Sequence, residues 1–194
     1  MEITNLNLNQ SSPSGSGWVA LDVRQKYSME TYQLALHPEH IETVGGWIYK
    51  QWWQTSENSP EVVLSRLRGH TRLDAVPFTL IATEEDNEVI GTCSVIEDDC
   101  AERPQYTPWV AAVYTREDRR GEGVASRLLQ DAVKITSQCN VEGLFLQCDL
   151  DKVSFYENNG WKTFEKGVGE KKATIMFRKL IDEQDSAHQA TTAH

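Results

Sequence analysis

Apolar and polar residues follow one another along this chain in short segments with distinct periods. Tyr32, Leu34 and Leu36 alternate with Gln33 and Ala35, the period of a half-buried strand over 32–36. Pro38 then introduces a helical stretch, His40 to Trp53, in which Val44, Ile48 and Trp52 recur every four residues. That stripe assigns Trp52 to the core, and Gly45-Gly46 marks a candidate bend. Ser59-Pro60-Glu61 starts a second helix, with Ser59 as cap and Pro60 in the first position. It carries Val63, Leu64 and Leu67 and ends near Gly69.

The middle of the chain turns to strands. Phe78 to Thr83 and Val89 to Ile96 flank the polar turn from Glu84 to Glu88 and predict a hairpin. Trp109 to Thr115 is a third apolar strand, after which Val124, Leu128, Leu129, Ala132, Val133 and Ile135 recur with helical period. Leu144 to Cys148 is another strand, followed by a short helix around Lys152 to Asn158 that Gly160 ends. Strands near Trp161 to Glu165 and Ala173 to Leu180 close the domain. Strands with interspersed helices and hairpins at both ends predict an α/β fold on a mixed sheet rather than a doubly wound one. Residues 1–25, rich in Asn and Ser, read as a mobile extension in which Trp18 to Leu21 is a short apolar segment. Residues 26–181 form the domain, and 182–194 a polar tail.

Composition narrows the function classes. A chain of 194 residues favours one domain with a sizeable core. Its net charge of −10 argues against a nucleic-acid partner, which needs clustered Lys and Arg, and suits a cationic small molecule. Cys93, Cys100, Cys139 and Cys148 form no C-x-x-C pair, so neither a disulfide framework nor a zinc site is expected. His37 and His40 stand three residues apart with no third ligand assigned, and no metal is expected there. Neither a secretory signal nor a bilayer-spanning run is present, which reads as a cytoplasmic protein with no membrane partner.

The most informative segment runs from Trp109 to Ser126. A strand runs out, the chain turns through Arg120-Gly121-Glu122-Gly123-Val124-Ala125, and an amphipathic helix begins. Glycines let backbone amides approach a ligand closely, and the helix start adds partial positive charge, so the turn suits a phosphate or pyrophosphate. An ordinary strand-to-helix turn is the plainer account. A Walker loop is excluded by the missing Lys, and a dinucleotide fingerprint by Ser126 and by the late position in the chain.

What remains is R-x-x-G-x-A, from Arg120 through Gly123 to Ala125, joined downstream by Phe155-Tyr156-Glu157-Asn158-Asn159-Gly160-Trp161. With these two motifs, over roughly residues 32–180, the chain resembles the GNAT superfamily of acetyl-CoA-dependent N-acetyltransferases. The resemblance implies a central, mostly antiparallel mixed sheet of six to seven strands flanked by about four helices. It implies that the strand at 109–115 splays from the one at 144–148, with the pantetheine arm of acetyl-CoA in the gap. Backbone around Val113 and Thr115 would then pair with pantetheine amides. Arg120, Gly121, Glu122, Gly123, Val124, Ala125 and Ser126 would form the pyrophosphate site. Glu122 departs from such a site, and its carboxylate has to face solvent. No contact is assigned to Asp149-Leu150-Asp151, where family members often place Asn.

The resemblance also makes Tyr156 the acid toward the CoA sulfur; the alternative is a buried tyrosine that satisfies a backbone group. Among Glu97, Asp98, Asp99 and Glu102, Glu97 is the candidate base for the amine, against a simply solvated acidic loop. Trp47, Tyr49, Trp52 and Trp53 fall where the family covers its acceptor site, and Trp109 is a further candidate for that pocket. The expected function is transfer of acetyl from acetyl-CoA to the primary amine of a small molecule, a cationic one being the expected class, by direct attack, as a monomer or homodimer. The alternatives are a coenzyme-binding regulatory module, an acetyltransferase of proteins or peptides, and a scaffold associating through its Trp-rich helix.

Overall fold

The structure, a computed structural model, describes residues 29–55 and 59–180. Its strands are β1 (Glu30–Gln33), β2 (Phe78–Thr83), β3 (Val89–Ile96), β4 (Trp109–Thr115), β5 (Gly143–Cys148), β6 (Lys162–Val168) and β7 (Ala173–Lys179). Four α-helices accompany them among the described residues: α1 (Ile41–Ile48), α2 (Pro60–Gly69), α3 (Val124–Thr136) and α4 (Val153–Asn158). The strands form one sheet in the order β1-β2-β3-β4-β5-β7-β6. Every neighbouring pair is antiparallel except β4 and β5. The extension expected over 1–25 and the tail expected over 182–194 lie outside the described residues. No described helix is long and apolar enough to cross a membrane.

The period-two pattern of the strands sorts side chains onto two faces. On one face, Leu80, Ala82, Cys93, Val95, Val110, Leu144 and Leu146 pack against Val124, Leu128, Leu129 and Ala132 of α3. On the other, Ile81 and Val89 meet Val44 and Ile48 of α1 and Val63 and Leu67 of α2. Trp109, Ile175, Val168 and Cys100 form a third cluster, against which Phe145 packs.

The elements differ from expectation in three places. The first strand stops at Gln33, and Leu34–Leu36 is a 3-10 turn closed by the His37 amide on the Leu34 carbonyl. That turn buries Leu34 beside Val44 and Ile48 and leaves Leu36 exposed, an arrangement an alternating strand cannot make. Gly45-Gly46 does not bend the helix, since both lie within α1. Gly45 instead faces Leu64 of α2 so closely that a Cβ there would overlap the leucine, so its small size sets the approach of the two helices.

Trp52 does not join the core; it is 45% exposed. The helix passes at Tyr49–Trp53 into a π turn, which bonds i to i+5 and takes more residues per turn. The apolar stripe therefore advances from Ile48 to Trp53, which packs with the α1–α2 cluster beneath the Arg66 guanidinium.

Helix α3 sits on β3 at Gly91. A Cβ there would lie 2.7 Å from Val124 Cγ1, 2.9 Å from the Tyr114 carbonyl oxygen and 3.2 Å from Leu128 Cδ1. Because the carbonyl is backbone of β4 and Val124 is a short β-branched side chain at the start of α3, Gly91→Ala has to displace α3, β4 or both. The expected destabilisation is about 1–3 kcal/mol, or roughly 2–4 °C of Tm per kcal/mol for a domain of this size. Thermal unfolding followed by circular dichroism measures it, and an unchanged Tm contradicts this packing.

Candidate active site

The site begins where β4 and β5 part. They pair only at Trp109↔Phe145 and Val110↔Leu146, whereas β5 pairs with β7 along all its length and β4 with β3 as far as Thr115↔Gly91. Between Thr92↔Tyr114 and Ser94↔Ala111, two steps of β3 span three of β4. The extra residue is a bulge at Ala112–Val113, with Ala112 at φ +51°. A bulge bends the strand that carries it, and here it turns β4 away from β5. Beyond Val110 the β5-facing edge of β4 has no strand partner, and its N–H and C=O groups require another one. Val113 lies on this open stretch, partly buried against the α3-side core. Thr115 ends it, with a buried Oγ1 that has no hydrogen-bond partner among the described residues.

The open edge leads directly into the glycine turn. Gly121 and Gly123 both hold φ +85°, the left-handed region that only glycine enters at little cost. A Cβ at either would meet nothing within 4 Å, so the conformation demands glycine and the space before the turn is open. Gly123 is the N-cap of α3, with no side-chain cap. Its carbonyl accepts from the Arg127 amide, and the amides of Val124, Ala125 and Ser126 precede the first intrahelical bond. Three arginines approach this turn with different freedom. Arg116 is engaged by Asp118 and Glu88, and Arg119 by the nearly buried Glu84. Arg120 is exposed and only 3.9 Å from Glu117, and its charge reaches Lys152 ahead of α4. Glu122 is half exposed, its carboxylate 4.0 Å from the Arg119 guanidinium.

Tyr156 comes from the other arm. Gly160, at φ +83°, ends α4, and the Tyr156 carbonyl accepts the amides of both Asn159 and Trp161. Asn159 Nδ2 closes the same turn on the Phe155 carbonyl. Trp161 is thereby buried with its ring 6.5 Å from that of Tyr156. The Tyr156 hydroxyl has no hydrogen-bond partner among the described residues, so it does not serve to satisfy a backbone group. Burial pushes its pKa well above that of an ordinary tyrosine, and the nearby Cys93 and Cys148 add to the effect. It stays a protonated donor. Both thiols are themselves pushed up by burial, to about 12 and about 11, and are inert at neutral pH.

The model of the acetyltransferase (GNAT) family matches residues 46–161, more than half of the chain, from α1 to the buried Trp161. This chain belongs to that family of enzymes. Among curated proteins none matches it. Solved structures agree in fold. A protein described as a candidate phosphinothricin N-acetyltransferase is 21% identical, with a TM-score of 0.61 over 80% of this chain and 100% of its own. A spermidine N-acetyltransferase chimera of Vibrio cholerae SpeG and hSSAT is 14% identical, with a TM-score of 0.60 over 78% and 95%. A Salmonella typhimurium protein, yncA, solved with its cofactor acetyl-CoA, is 16% identical, with a TM-score of 0.60 over 81% and 95%.

On the sheet face away from α3, the acetyltransferase gathers its remaining candidates unevenly. Trp47 of α1 packs on Tyr114 of β4, ring centroids 5.1 Å apart. Trp109 is fully buried. Glu97 is exposed at the end of β3. Asp99, two residues on, is half-buried and bonded to Gln147 of β5, an arrangement sequence reading passed over because nothing in the acidic run distinguishes one carboxylate. The expectation that His37 and His40 lack a third neighbour is corrected by Glu39. Its carboxylate lies 3.4 Å from His37 Nδ1 and 3.9 Å from His40 Nε2, because the 3-10 turn sets both rings on one side. The donor atoms of the three lie within 4.8 Å of one another, against roughly 3.3 Å between ligand atoms on tetrahedral zinc.

Gly123→Ala forces a Cβ into left-handed backbone, which costs about 1–2 kcal/mol and displaces the first amides of α3. The expected result is a loss of acetyl-CoA affinity of about tenfold by isothermal titration. Unchanged affinity would remove the turn from the coenzyme site.

Proposed function

We propose that this acetyltransferase moves the acetyl group of acetyl-CoA to the primary amine of a small cationic molecule, by direct attack in a ternary complex. The observation that carries the reading is the two-residue contact of β4 with β5. It leaves an open strand edge running from Tyr156 at one end to the glycine turn at the other. Backbone groups of Val113 and Thr115 would pair with the pantetheine amides. The amides from Gly121 to Ser126 would hold the pyrophosphate, with Arg120 as the loosely held cation beside them. Glu122 keeps its charge toward Arg119 and solvent.

In this arrangement the acetyl carbonyl lies near the bulge, where a backbone N–H of Ala112 or Val113 polarises it in the manner of an oxyanion hole. The amine nitrogen forms the new bond to carbon, and the C–S electron pair leaves on sulfur. Tyr156 meets that sulfur. An ordinary tyrosine titrates near ~10 and a thiol near ~8.5, so complete proton transfer is uphill by about 2 kcal/mol. Burial of Tyr156 widens that gap. Its role is therefore a hydrogen bond that stabilises the developing thiolate rather than an early proton transfer.

A cationic acceptor accords with the net charge of −10, with Glu97, Asp98 and Asp99 beside the fork, and with the aromatic pair Trp47–Tyr114. Spermidine and phosphinothricin, named for two of the similar structures, are amine-bearing small molecules. Four free cysteines accord with a cytoplasmic setting.

Thiol release from acetyl-CoA across polyamines, aminoglycosides, amino acids and short peptides tests the reading, alongside coenzyme binding by titration. Release with a polyamine or aminoglycoside supports it. Coenzyme binding without release for any amine overturns it in favour of a regulatory module. Tyr156→Phe is expected to lower kcat about 100-fold and leave acetyl-CoA affinity within twofold; undiminished turnover removes Tyr156 from the chemistry.

A further inference from the structure

We infer that Asp99, held by Gln147 at the root of the β4–β5 fork, is the base that takes the proton of the attacking amine, from the opposite face of the sheet to Tyr156. The inference rests on the acetyl-transfer reading and moves the role from Glu97 to Asp99.

The placement comes from register. Leu146 is the last β5 residue paired with β4, so Gln147 is the first at which the strands have parted. Leu144 and Leu146 pack on the α3 side, while Phe145 packs with Trp109 on the other face. Gln147, next in the alternation, shares the face of Phe145. Its carboxamide Nε2 donates both to the Asp99 carbonyl oxygen and, at 3.1 Å, to Asp99 Oδ2. Both bonds fall on one residue, which fixes the Asp99 carboxylate where the fork opens. Tyr156, with Cys93 and Cys148 beside it, belongs to the α3 face. A thioester lying between β4 and β5 thus has a proton donor on one side and a carboxylate on the other.

The electrostatics fit a base for a cation. Burial pushes the Asp99 carboxyl up to about 6; the Gln147 hydrogen bond opposes that rise and the Asp98 charge adds to it. No cationic side chain pairs with Asp99 among the described residues. Arg103, the nearest arginine in sequence, is committed to Glu165 of β6, and Glu102 receives the Cys100 thiol. Glu97 and Asp98 are exposed, and Glu97 has no hydrogen bond or ion pair among the described residues. Asp99 is a half-buried carboxylate without a cationic partner among the described residues, and a substrate ammonium supplies one. A free alkylamine titrates near ~10.4, and desolvation in the fork lowers it while raising the acid, so the two approach one another.

The step balances. The bound ammonium first gives one proton to Asp99, which releases it to solvent; the nitrogen lone pair then forms the N–C bond, the C–S pair goes to sulfur, and the second N–H proton goes to Asp99. The sulfur leaves as the thiol with the proton shared by Tyr156, and the proton on Asp99 returns through solvent to the phenol. The net products are the acetamide and free CoA.

Burial, and after it the Arg66 charge, lowers the pKa of His70, a second ionisable group against this sheet. His70 bonds Thr79 at 2.8 Å, and Thr79 bonds Ser94 at 2.9 Å, a chain that ends on β3, one strand short of the fork. The test therefore compares variants rather than a single pH profile.

With the amine that gives the fastest thiol release, wild-type kcat/KM is expected to fall below about pH 6. Asp99→Asn should lose that acid limb and about 100-fold of kcat/KM at pH 7, with acetyl-CoA affinity unchanged. Gln147→Leu removes a donor to the carboxylate, so its limb should move to higher pH, which a merely structural role would not do. Stability gives a readout free of turnover. A carboxyl whose folded pKa is raised stabilises the fold while protonated and loses that contribution as pH rises through the folded value. The Tm of Asp99→Asn should therefore exceed that of wild type above about pH 6 and merge with it below about pH 4. Retention of the acid limb in Asp99→Asn, or its loss in Glu97→Gln or His70→Gln instead, overturns the assignment while acetyl transfer stands. Absence of thiol release by wild type with every amine overturns both.

Discussion

One extra residue in β4 is the constraint on which the rest depends. Two parallel strands that stay paired satisfy each other's amides and leave nothing for a ligand. The bulge at Ala112 bends β4 after two paired positions, while β5 continues straight because β7 holds it along its whole length. The backbone groups so released are worth about 1–3 kcal/mol each if left buried and unmet. Residues 111–115, which carry them, are only half-buried, so these groups stay open to water or to a ligand.

The elements around the fork follow from that opening. β4 ends at Thr115 close to α3, and α3 has to start through two left-handed glycines to come back over the sheet. The absence of a side-chain cap at Gly123 leaves the first amides of α3 for an anion. Gly91 lets that helix lie close enough to β3 for its N-terminus to stay level with the strand end. On the other arm, Gly160 stops α4 and buries Trp161 beneath Tyr156. The two motifs, some thirty residues apart in the chain, are the two ends of the proposed cleft.

Burial then differentiates groups of similar chemistry. Burial keeps Tyr156 a protonated phenol on the α3 face and raises the Asp99 carboxyl to about 6 on the other, so Asp99 remains mostly ionised at neutral pH. The exposed acids of the same loop keep ordinary surroundings and contribute a field rather than a site. Arginines show the same division, with Arg116 and Arg119 tied closely to carboxylates and Arg120 held only by long contacts to the Thr115 carbonyl and Glu117.

Short apolar runs on either side of a polar turn were enough for the β2–β3 hairpin, whose residues are buried on both faces, and helical period was enough for α3. The glycine turn and helix start at 120–126 were legible too, since left-handed turns and helix starts depend on local residue choice. The stripe through Trp52 failed because a π turn changes the period, and nothing in YKQWW announces it. The strand at 32–36 failed because burial of Leu34 beneath α1 outweighed its alternation. Only the tertiary structure decided where β4 leaves β5, and with it which carboxylate of Glu97, Asp98 and Asp99 matters. That choice rests on a glutamine forty-eight residues away and on how much water the fold leaves around each acid, quantities that no local pattern carries.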